Sequence, residues 1–338
     1  MMQSQPFLST PVSLLIGRLL LAAGFVFLLA VPALLSLRGI QLTTEFLTLL
    51  LLALMWNLLA GYADIVTVGQ HAFVGIGAYA FFGFLVLAGL DPFVSIALAG
   101  CVALAFGLPV MAIIFRLRAG YLAVGSWVVA ETLMLSAGKL SAFGGGSGKS
   151  LPVPAVKSFG ASTAGRYETV YWLALLLAAL GFALTFWLMR SRIGVGLTAM
   201  RDSEEGAGAI GVNVFRTRIL CFLWTTPFLG LAGAIITMQK LRVSPPASFS
   251  IIDWTAYVIF IAVIGGIGSF EGPIIGTIVF FFLRESLADL GVWQFIILGA
   301  VSIAVILVEP KGLWGLIRRY LPGDLIPVGH RPRPTPDR

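Results

Sequence analysis

Long apolar runs recur along the whole chain of 338 residues, and charged residues are concentrated between them. A helix that crosses a bilayer needs about 20 apolar residues. Hydrophobic residues make up 59% of the chain and charged residues only 11%, whereas a soluble domain carries roughly 25% charged residues. No soluble core could bury so much apolar surface, so most of the chain must lie in lipid. A soluble enzyme, a nucleic-acid-binding domain and a disulfide-rich secreted module are thereby excluded.

We predict an all-α polytopic membrane protein with about ten transmembrane helices, some of them short or broken. The predicted spans are 13–37, 40–60, 72–90, 93–115, 121–137, 169–189, 219–238, 254–267, 272–287 and 292–308. The first run is interpreted as a retained span, because no small-residue cleavage site follows it at signal-peptide distance. The two cysteines, Cys101 and Cys221, lie in apolar runs and imply no disulfide framework. With only two histidines, the sequence gives no basis for a metal site.

Lys and Arg near the span ends set the orientation of a membrane protein. The loop 190–218 carries five arginines, and the C-terminal region is also basic. With both placed inside, the N- and C-termini are cytoplasmic and the loop 139–167 lies outside. Residues 1–320 then form one transmembrane domain, and the proline-rich tail 321–338 is expected to be disordered. The net charge of +7 does not indicate nucleic-acid binding, because the positive charges lie in short loops between the apolar runs, where they orient a membrane protein.

The outer loop contains GGGSGKS at 144–150, which partly resembles a phosphate-binding P-loop. That motif needs a glycine five positions before its Gly-Lys pair, where Phe143 stands, and a helix after it, where Leu151 and Pro152 stand. We therefore interpret the stretch as a glycine-rich outer loop. Any use of ATP requires another chain.

The segment 61–79, GYADIVTVGQHAFVGIGAY, combines polar groups with closely spaced small residues at the junction of two spans. Gly75 and Gly77 allow neighbouring helices to approach closely. Asp64, Gln70 and His71 would be costly in lipid and are expected to face a cavity, another chain or water. A cytoplasmic loop followed by an ordinary packing face explains the pattern equally well, so both interpretations stay open.

The segment 265–276, GGIGSFEGPIIG, holds four glycines and a proline within nine residues and cannot form a regular helix. Non-helical backbone at membrane depth must be buried in protein or line a polar cavity, and broken helices often build transport sites. The alternative is a tight inner turn in which Gly268, Gly272 and Gly276 form a packing face.

Glu131 lies within the predicted span 121–137, nearer to its outer end. A carboxylate at mid-bilayer costs roughly 2.5–3.5 kcal/mol on insertion scales. Glu131 must therefore be neutralised, paired or exposed to a water-filled path. The alternative is that the span is shifted and the carboxylate reaches the outer surface.

The inner loop contains RDSEEGAGAIGV at 201–212, and this sequence predicts a short cytoplasmic helix. Asp202 or Ser203 can cap the helix, two glutamates in its first turn match the helix dipole, and Gly211 ends it. Its small residues and charged end would suit docking into a groove of a partner. A solvated connector is the alternative.

At these segments the chain resembles the LivM-type membrane subunits of branched-chain amino-acid ABC importers, in order over about residues 40–320. The matching segments are GQHAFVGIGAY, RLRAGYLAVGSWVVAE, GGGSG followed by PVP, AMRDSEEGAGAIGVNVFRTR and VIGGIGSFEGPIIG. The resemblance implies a multi-pass permease subunit of an ATP-driven importer in a bacterial inner membrane, without enzymatic activity or cofactor of its own. The implied partners are cytosolic ABC ATPase subunits, a second, LivH-type permease subunit and a periplasmic substrate-binding protein.

The resemblance also implies roles for particular residues. Coupling to the ATPases is assigned to Arg201, Asp202, Ser203, Glu204, Glu205, Ala207, Ile210, Gly211 and Val212. The translocation path is assigned to Gly69, Gln70, His71, Phe73, Gly75, Gly77, Tyr79, Glu131, Gly265, Gly266, Gly268, Ser269 and Gly272.

The chain departs from the family pattern at several positions. Asp64 stands where a small residue is usual, His71 where a second small residue is common, and Trp127 is bulkier than the usual leucine. These departures bear on the substrate, because relatives move urea, short amides or aromatic acids. An ion-coupled secondary transporter and a membrane scaffold without a path are the alternative functions.

Overall fold

The computed structural model describes residues 11–117, 119–320 and Ile326. In this part of the chain almost the whole backbone is helical, and two short strands are the remaining regular structure. The predicted all-α class is confirmed. The predicted disorder of the tail 321–338 lies outside the described residues, apart from Ile326.

Fifteen α-helices follow one another along the described residues. They are α1 (Pro11–Leu34), α2 (Leu37–Asn57), α3 (His71–Phe82), α4 (Pro92–Ile114), α5 (Ala119–Ala137), α6 (Val153–Lys157), α7 (Thr163–Met189), α8 (Arg192–Asp202), α9 (Glu204–Ala209), α10 (Val214–Lys240), α11 (Pro245–Ser248), α12 (Tyr257–Gly265), α13 (Gly272–Ser286), α14 (Val292–Val308) and α15 (Gly312–Tyr320). Turns of π-helix extend α2 (Leu58–Tyr62) and α3 (Gly83–Leu87) and precede α12 (Ile252–Ala256). Turns of 3₁₀-helix occur at Ser141–Phe143, Gly145–Ser147 and Ala288–Leu290.

By length and hydropathy, six helical segments of the described chain can cross a membrane. They are Leu37–Tyr62, Pro92–Ile114, Gly120–Ala137, Thr163–Met189, Val214–Lys240 and Pro245–Gly265. The helices α14 and α15, bent by 44° at their junction, would form a seventh span if counted together. Shorter apolar helices occur at Ala22–Leu34 and His71–Leu87. A helix occupies each of the ten predicted runs, and the count of ten crossings stays a prediction.

Helix α10 packs against α3 through direct contact of their backbones. A Cβ atom on Gly77 would lie 2.0 Å from the carbonyl oxygen of Gly230, and one on Gly233 would lie 2.0 Å from that of Val74. Helices in lipid associate through such small residues, because no hydrophobic driving force brings them together. The close contact fixes α3, and therefore the segment that precedes it, on the long helix α10.

The loop 139–167 is anchored by a strand pairing that the sequence does not indicate. Strand β1 (Lys149–Ser150) pairs in antiparallel fashion with β2 (Arg242–Val243), immediately after α10. The Phe143 ring packs against Tyr79 and Phe82, with ring centroids 5.1 and 5.6 Å apart. The loop therefore closes over the end of α3.

Candidate coupling site and transport segments

Residues 63–70, here called the buried segment, connect α2 to α3 without helical structure. The Trp56 indole N–H donates to the Thr67 carbonyl at 2.9 Å, and the Val68 N–H donates to Ser126 Oγ at 3.1 Å. Backbone that leaves the helix inside a membrane must find its partners within the protein. These bonds supply some of them, and they hold the buried segment between α2 and α5.

At the end of the buried segment, Gln70 and His71 are almost fully enclosed, with 2% and 0% of their surfaces exposed. Gln70 Nε2 donates to the Trp254 carbonyl at 2.7 Å, and His71 Nδ1 lies 2.9 Å from Thr255 Oγ1. Gln70 Oε1 and His71 Nε2 have no hydrogen-bond partner among the described residues. Such buried polar atoms are uncommon and call for an explanation. The pair joins the start of α3 to the π-helical turn before α12.

The other predicted path residues near α3 lie in different surroundings. Gly69 lies against the Ser126 backbone, where an added Cβ would be 2.1 Å from the carbonyl oxygen, and Gly75 lies against the Phe249 ring. Beside Gly69 and Gln70 is a small cavity of about 10 Å³, which leaves room for about one water molecule. Its other lining residues include Thr67, Phe73, Ser126, Thr225 and Thr226.

A larger cavity of about 620 Å³ opens near the C-terminal half of α3. Its lining is mainly apolar, and the hydroxyl of the buried Tyr79 has no hydrogen-bond partner among the described residues. Residues lining this cavity include Ile76, Tyr79, Phe84, Phe106, Leu133, Phe143 and Phe249. The structure thus places Tyr79 at a cavity, Gly77 at a helix contact and Gly75 against the Phe249 ring.

Residues 266–271, here called the glycine-rich loop, interrupt the helix between α12 and α13. The predicted break is confirmed, and it has the form of a tight turn. A Cβ on Gly265 would lie 1.9 Å from the Gly272 carbonyl oxygen. Gly266 and Gly268 have φ values of +118° and +77°, which glycine adopts without strain.

Asn57, at the end of α2, bonds the glycine-rich loop through both ends of its amide. Its Oδ1 accepts from the Gly268 N–H at 2.8 Å, and its Nδ2 donates to the Ser269 carbonyl at 2.8 Å. The side chain is buried, with 1% of its surface exposed. Asn57 is not indicated by the sequence, because a single asparagine in an apolar run gives no sign of its partner.

Replacing Asn57 with alanine is expected to leave a backbone N–H and a carbonyl of the loop unpaired. Each unsatisfied buried group costs about 1–3 kcal/mol, so we expect a clear fall in the thermal unfolding midpoint of the purified protein in detergent. Asn57→Asp keeps an acceptor for Gly268 and loses the donor to Ser269. An unfolding midpoint of the alanine variant equal to that of the unaltered protein would contradict this role.

The C-terminal region holds the glycine-rich loop from another side. A Cβ on Gly266 would lie 2.5 Å from the Lys311 carbonyl oxygen, and the Ile326 N–H donates to Glu271 Oε1 at 2.8 Å. Next to this contact, the nearly buried Glu309 forms an ion pair with Arg319 of α15. The loop is therefore fixed by α2 and by the chain around α15.

Residues 201–212, here called the coupling segment, contain the short helix that the sequence predicts. Ser203 caps α9 by accepting a hydrogen bond from the Gly206 N–H at 3.0 Å, and Gly211 follows the helix with φ +90°. Ala207 is buried, whereas Ile210 is 74% exposed. A Cβ added to Gly208 would meet no atom within 4 Å. Helix α9 thus packs through Ala207 and presents its other side outward.

The coupling segment contacts the glycine-rich loop through Arg201. Its Nη1 donates to the Gly268 carbonyl at 3.1 Å, and its guanidinium lies 5.5 Å from the centre of the Tyr62 ring. Arg201 also pairs with Asp202 at 3.0 Å. Two segments that sequence analysis singled out separately, 201–212 and 265–276, therefore meet.

A second contact joins the coupling segment to the buried segment through Arg218, near the start of α10. Its two terminal nitrogens donate to the two oxygens of Glu204 at 3.0 and 2.9 Å. Its Nη2 lies 3.3 Å from Asp64 Oδ2, and its Nε donates to the Ala63 carbonyl at 3.0 Å. Arg218 ends the matching segment AMRDSEEGAGAIGVNVFRTR, and in the sequence it is otherwise indicated only as a charge that sets orientation. The unusual Asp64 was the signal that could have indicated the contact.

Glu131 stands apart from these contacts. It is half-buried on α5, and its Oε1 accepts a hydrogen bond from the Trp127 indole at 3.1 Å. Within the described chain, no basic side chain forms an ion pair with it and no hydrogen bond joins it to His71. The indole supplies one donor to the carboxylate, and the structure brings Glu131 into no hydrogen-bonded contact with the other predicted path residues.

An ion pair near the opposite ends of the helices also escaped sequence analysis. Glu45 of α2 lies 2.7 Å from Arg284 of α13, whose guanidinium stacks near Tyr257 and two phenylalanines. A cavity of about 270 Å³ lies beside this pair, lined in part by Lys240 and Trp254. The pair connects two helices whose other ends meet at the glycine-rich loop.

Several long apolar helices surround buried non-helical segments that carry polar side chains, which is the architecture of a multi-pass membrane transport protein. Residues 39–308 match the family described as "Branched-chain amino acid transport system / permease component". The match covers most of the chain, and the chain belongs to this family. The predicted resemblance is thus confirmed, and the chain is a transporter subunit.

Individual relatives agree with the family match. The high-affinity branched-chain amino acid transport system permease protein LivM of Salmonella typhimurium is 27% identical over 328 residues, which are 90% of this chain and 76% of the relative. LivM of Escherichia coli (strain K12) gives the same figures. The LivH permease protein of E. coli (strain K12) is 28% identical over 151 residues, 44% of this chain and 47% of the relative. No solved structure matches the chain.

Proposed function

We propose that the chain is a membrane-spanning permease subunit of an ATP-driven ABC importer that moves branched-chain amino acids, or a related small solute, into a bacterial cell. The proposed location is the inner membrane. ATP hydrolysis is assigned to separate cytosolic ATPase subunits. The other proposed partners are a LivH-type second permease subunit and a periplasmic substrate-binding protein. The names of the LivM and LivH relatives support the substrate class and the subunit pairing.

One observation carries this proposal: the coupling segment has an outward face and also bonds to the glycine-rich loop. Arg201 supplies the bond, through the Gly268 carbonyl at 3.1 Å. The exposed Ile210 and the open space around Gly208 and Gly211 suit a surface that a partner approaches closely. Closure of the ATPases would press on this face. We assign the whole coupling role to Arg201, Asp202, Ser203, Glu204, Glu205, Ala207, Ile210, Gly211 and Val212.

The proposed path runs along the segments that the coupling contacts reach. Gln70 and His71 offer polar atoms that lack partners among the described residues, and these atoms would meet polar groups of a solute or a second permease subunit when the segments move. Glu131 would face the same space from α5. The remaining path residues in the proposal are Gly69, Phe73, Gly75, Gly77, Tyr79, Gly265, Gly266, Gly268, Ser269 and Gly272. Of these, Gly75 and Gly77 would act by allowing close helix packing.

Uptake into vesicles tests the proposal. The chain is purified with its ATPase and second permease subunits, reconstituted, and supplied with binding protein and radiolabelled leucine. We expect leucine uptake only when ATP is present on the ATPase side. Uptake driven by an ion gradient without ATP would instead indicate a secondary transporter. Competition by urea, short amides and aromatic acids identifies the solute.

A further inference from the structure

We infer that Arg218 is a positioning residue that transmits movement of helix α9 to the buried segment. The inference rests on the proposed function and adds a specific route within the chain. Arg218 lies outside the coupling segment itself; it ends the matching segment AMRDSEEGAGAIGVNVFRTR, and the residues assigned to coupling do not include it. Its side chain is the point at which α9, the buried segment and α10 meet.

The geometry of Arg218 suits transmission. Its paired bonds to both oxygens of Glu204, at 3.0 and 2.9 Å, fix the orientation of the carboxylate as well as its distance. The same guanidinium also holds Asp64 at 3.3 Å and the Ala63 carbonyl at 3.0 Å. A displacement of Glu204 therefore changes the position of a group that also holds the start of the buried segment.

The contacts are too exposed to be explained by stability of the fold. The side chains of Asp64 and Glu204 are 68% and 49% exposed, whereas that of Arg218 is 21% exposed. Ion pairs between exposed groups contribute little to stability, because water and salt screen them. A half-buried guanidinium that holds exposed carboxylates on two different segments fits a connection between movable parts better than it fits a core contact.

The backbone at Asp64 adds an independent observation. Asp64 has φ +55°, and Asp64 and Leu241 are the non-glycine residues of the described chain in the left-handed region. Such a conformation persists only where the surroundings enforce it, and it occurs often in switch regions. Arg218 holds both the side chain of Asp64 and the carbonyl of the residue before it. The turn into the buried segment therefore depends on the position of this arginine.

From this turn, movement reaches the proposed path directly. The buried segment ends at Gln70, whose side chain bonds to the Trp254 carbonyl. The bond from Arg201 to the glycine-rich loop is a separate connection that does not involve Arg218. Loss of Arg218 should therefore weaken transmission while the coupling segment remains attached.

The test is Arg218→Gln in the complete importer complex, reconstituted with binding protein and leucine, with uptake and ATP hydrolysis measured in the same vesicles. We expect uptake per ATP hydrolysed to fall about tenfold, within the usual range of coupling between sites. Binding of the ATPase subunits and the thermal unfolding midpoint should stay unchanged. Arg218→Lys keeps the charge and one donor, and we expect it to restore part of the lost uptake.

Arg216→Gln is the matched control, because it removes the same charge two residues away on α10. The Arg216 side chain is exposed and makes no hydrogen bond or ion pair to another described residue. If Arg218 acts through Glu204, adding Glu204→Gln to Arg218→Gln should cause little further loss of uptake per ATP hydrolysed, as expected for residues that share one interaction.

Two results would overturn the inference while leaving the proposed function intact. In the first, the unaltered complex shows ATP-driven uptake, and the uptake per ATP hydrolysed by Arg218→Gln lies within about twofold of the value for the unaltered complex. Such a change is smaller than ordinary coupling effects. In the second, Arg218→Gln loses ATPase binding and its thermal unfolding midpoint falls, which would show a merely structural role. Failure of the unaltered complex to use ATP for uptake would overturn the proposed function itself.

Discussion

Replacing Gly77 with alanine is expected to separate α3 from α10 and to leave little folded protein. The new methyl group would lie 2.0 Å from the Gly230 carbonyl oxygen and 2.5 Å from its Cα. Both atoms belong to the backbone, so no side chain can turn aside to make room. Overpacking of a well-packed contact costs about 1–3 kcal/mol, and a clash with backbone falls at the upper end or beyond. The measurement is the yield and thermal unfolding midpoint of the purified protein in detergent.

The same substitution at Gly299 provides the control. Gly299 lies within α14, and a Cβ there would meet no atom within 4 Å. Alanine is favoured over glycine inside a helix by about 1 kcal/mol, so Gly299→Ala should leave the unfolding midpoint unchanged or raise it. Equal midpoints for Gly77→Ala and Gly299→Ala would show that α3 and α10 do not depend on this contact.

The helices in the ten apolar runs could be predicted, but their ends could not, and the short helices α6, α8, α11 and α15 lie outside those runs. Helix α7 begins at Thr163, six residues before the predicted span, because Ser162 caps it and its first turns are polar. Helix α10 begins at Val214 after the capping residue Asn213. Hydropathy detects the part of a helix that lies in lipid and misses turns that extend into water. The two glutamates of the first turn form a local signal for α9 with Asp202 or Ser203 as its cap, and the structure shows Ser203 in that role.

The contacts between segments could not be predicted, because they join residues that are far apart in the sequence. Asn57 and Gly268 come together only when α2 lies beside the glycine-rich loop. Strand β1 has two residues, too few for any periodic pattern to indicate a strand. Gly75 and Gly77 show a further limit, since small residues suit a helix contact and a transport path equally well. Only the atoms that surround each glycine in the structure show whether it lies at a helix contact or along a path.

Replacing Gly208 with tryptophan is expected to abolish binding of the ATPase subunits. Gly208 lies on the outward side of α9, and the exposed Ile210 follows it two residues later. A partner that packs closely on this side would be held away by the indole ring. Loss of a central interface contact costs about 2 kcal/mol or more, so affinity should fall by at least about thirtyfold. Co-purification and the Kd measured with purified ATPase subunits provide the readout, and uptake should disappear with binding.

Gly120→Trp separates loss of docking from general damage. Gly120 is exposed at the start of α5, its Cβ position meets no atom within 4 Å, and the predicted orientation places it on the cytoplasmic side with α9. Both variants therefore add the same ring to open space, and both should keep the unfolding midpoint of the unaltered protein. A specific loss of ATPase binding in Gly208→Trp would locate the docking surface on α9. Unchanged affinity in that variant would mean that the ATPases bind elsewhere, because no ring of this size fits into a close contact that was formed around a glycine.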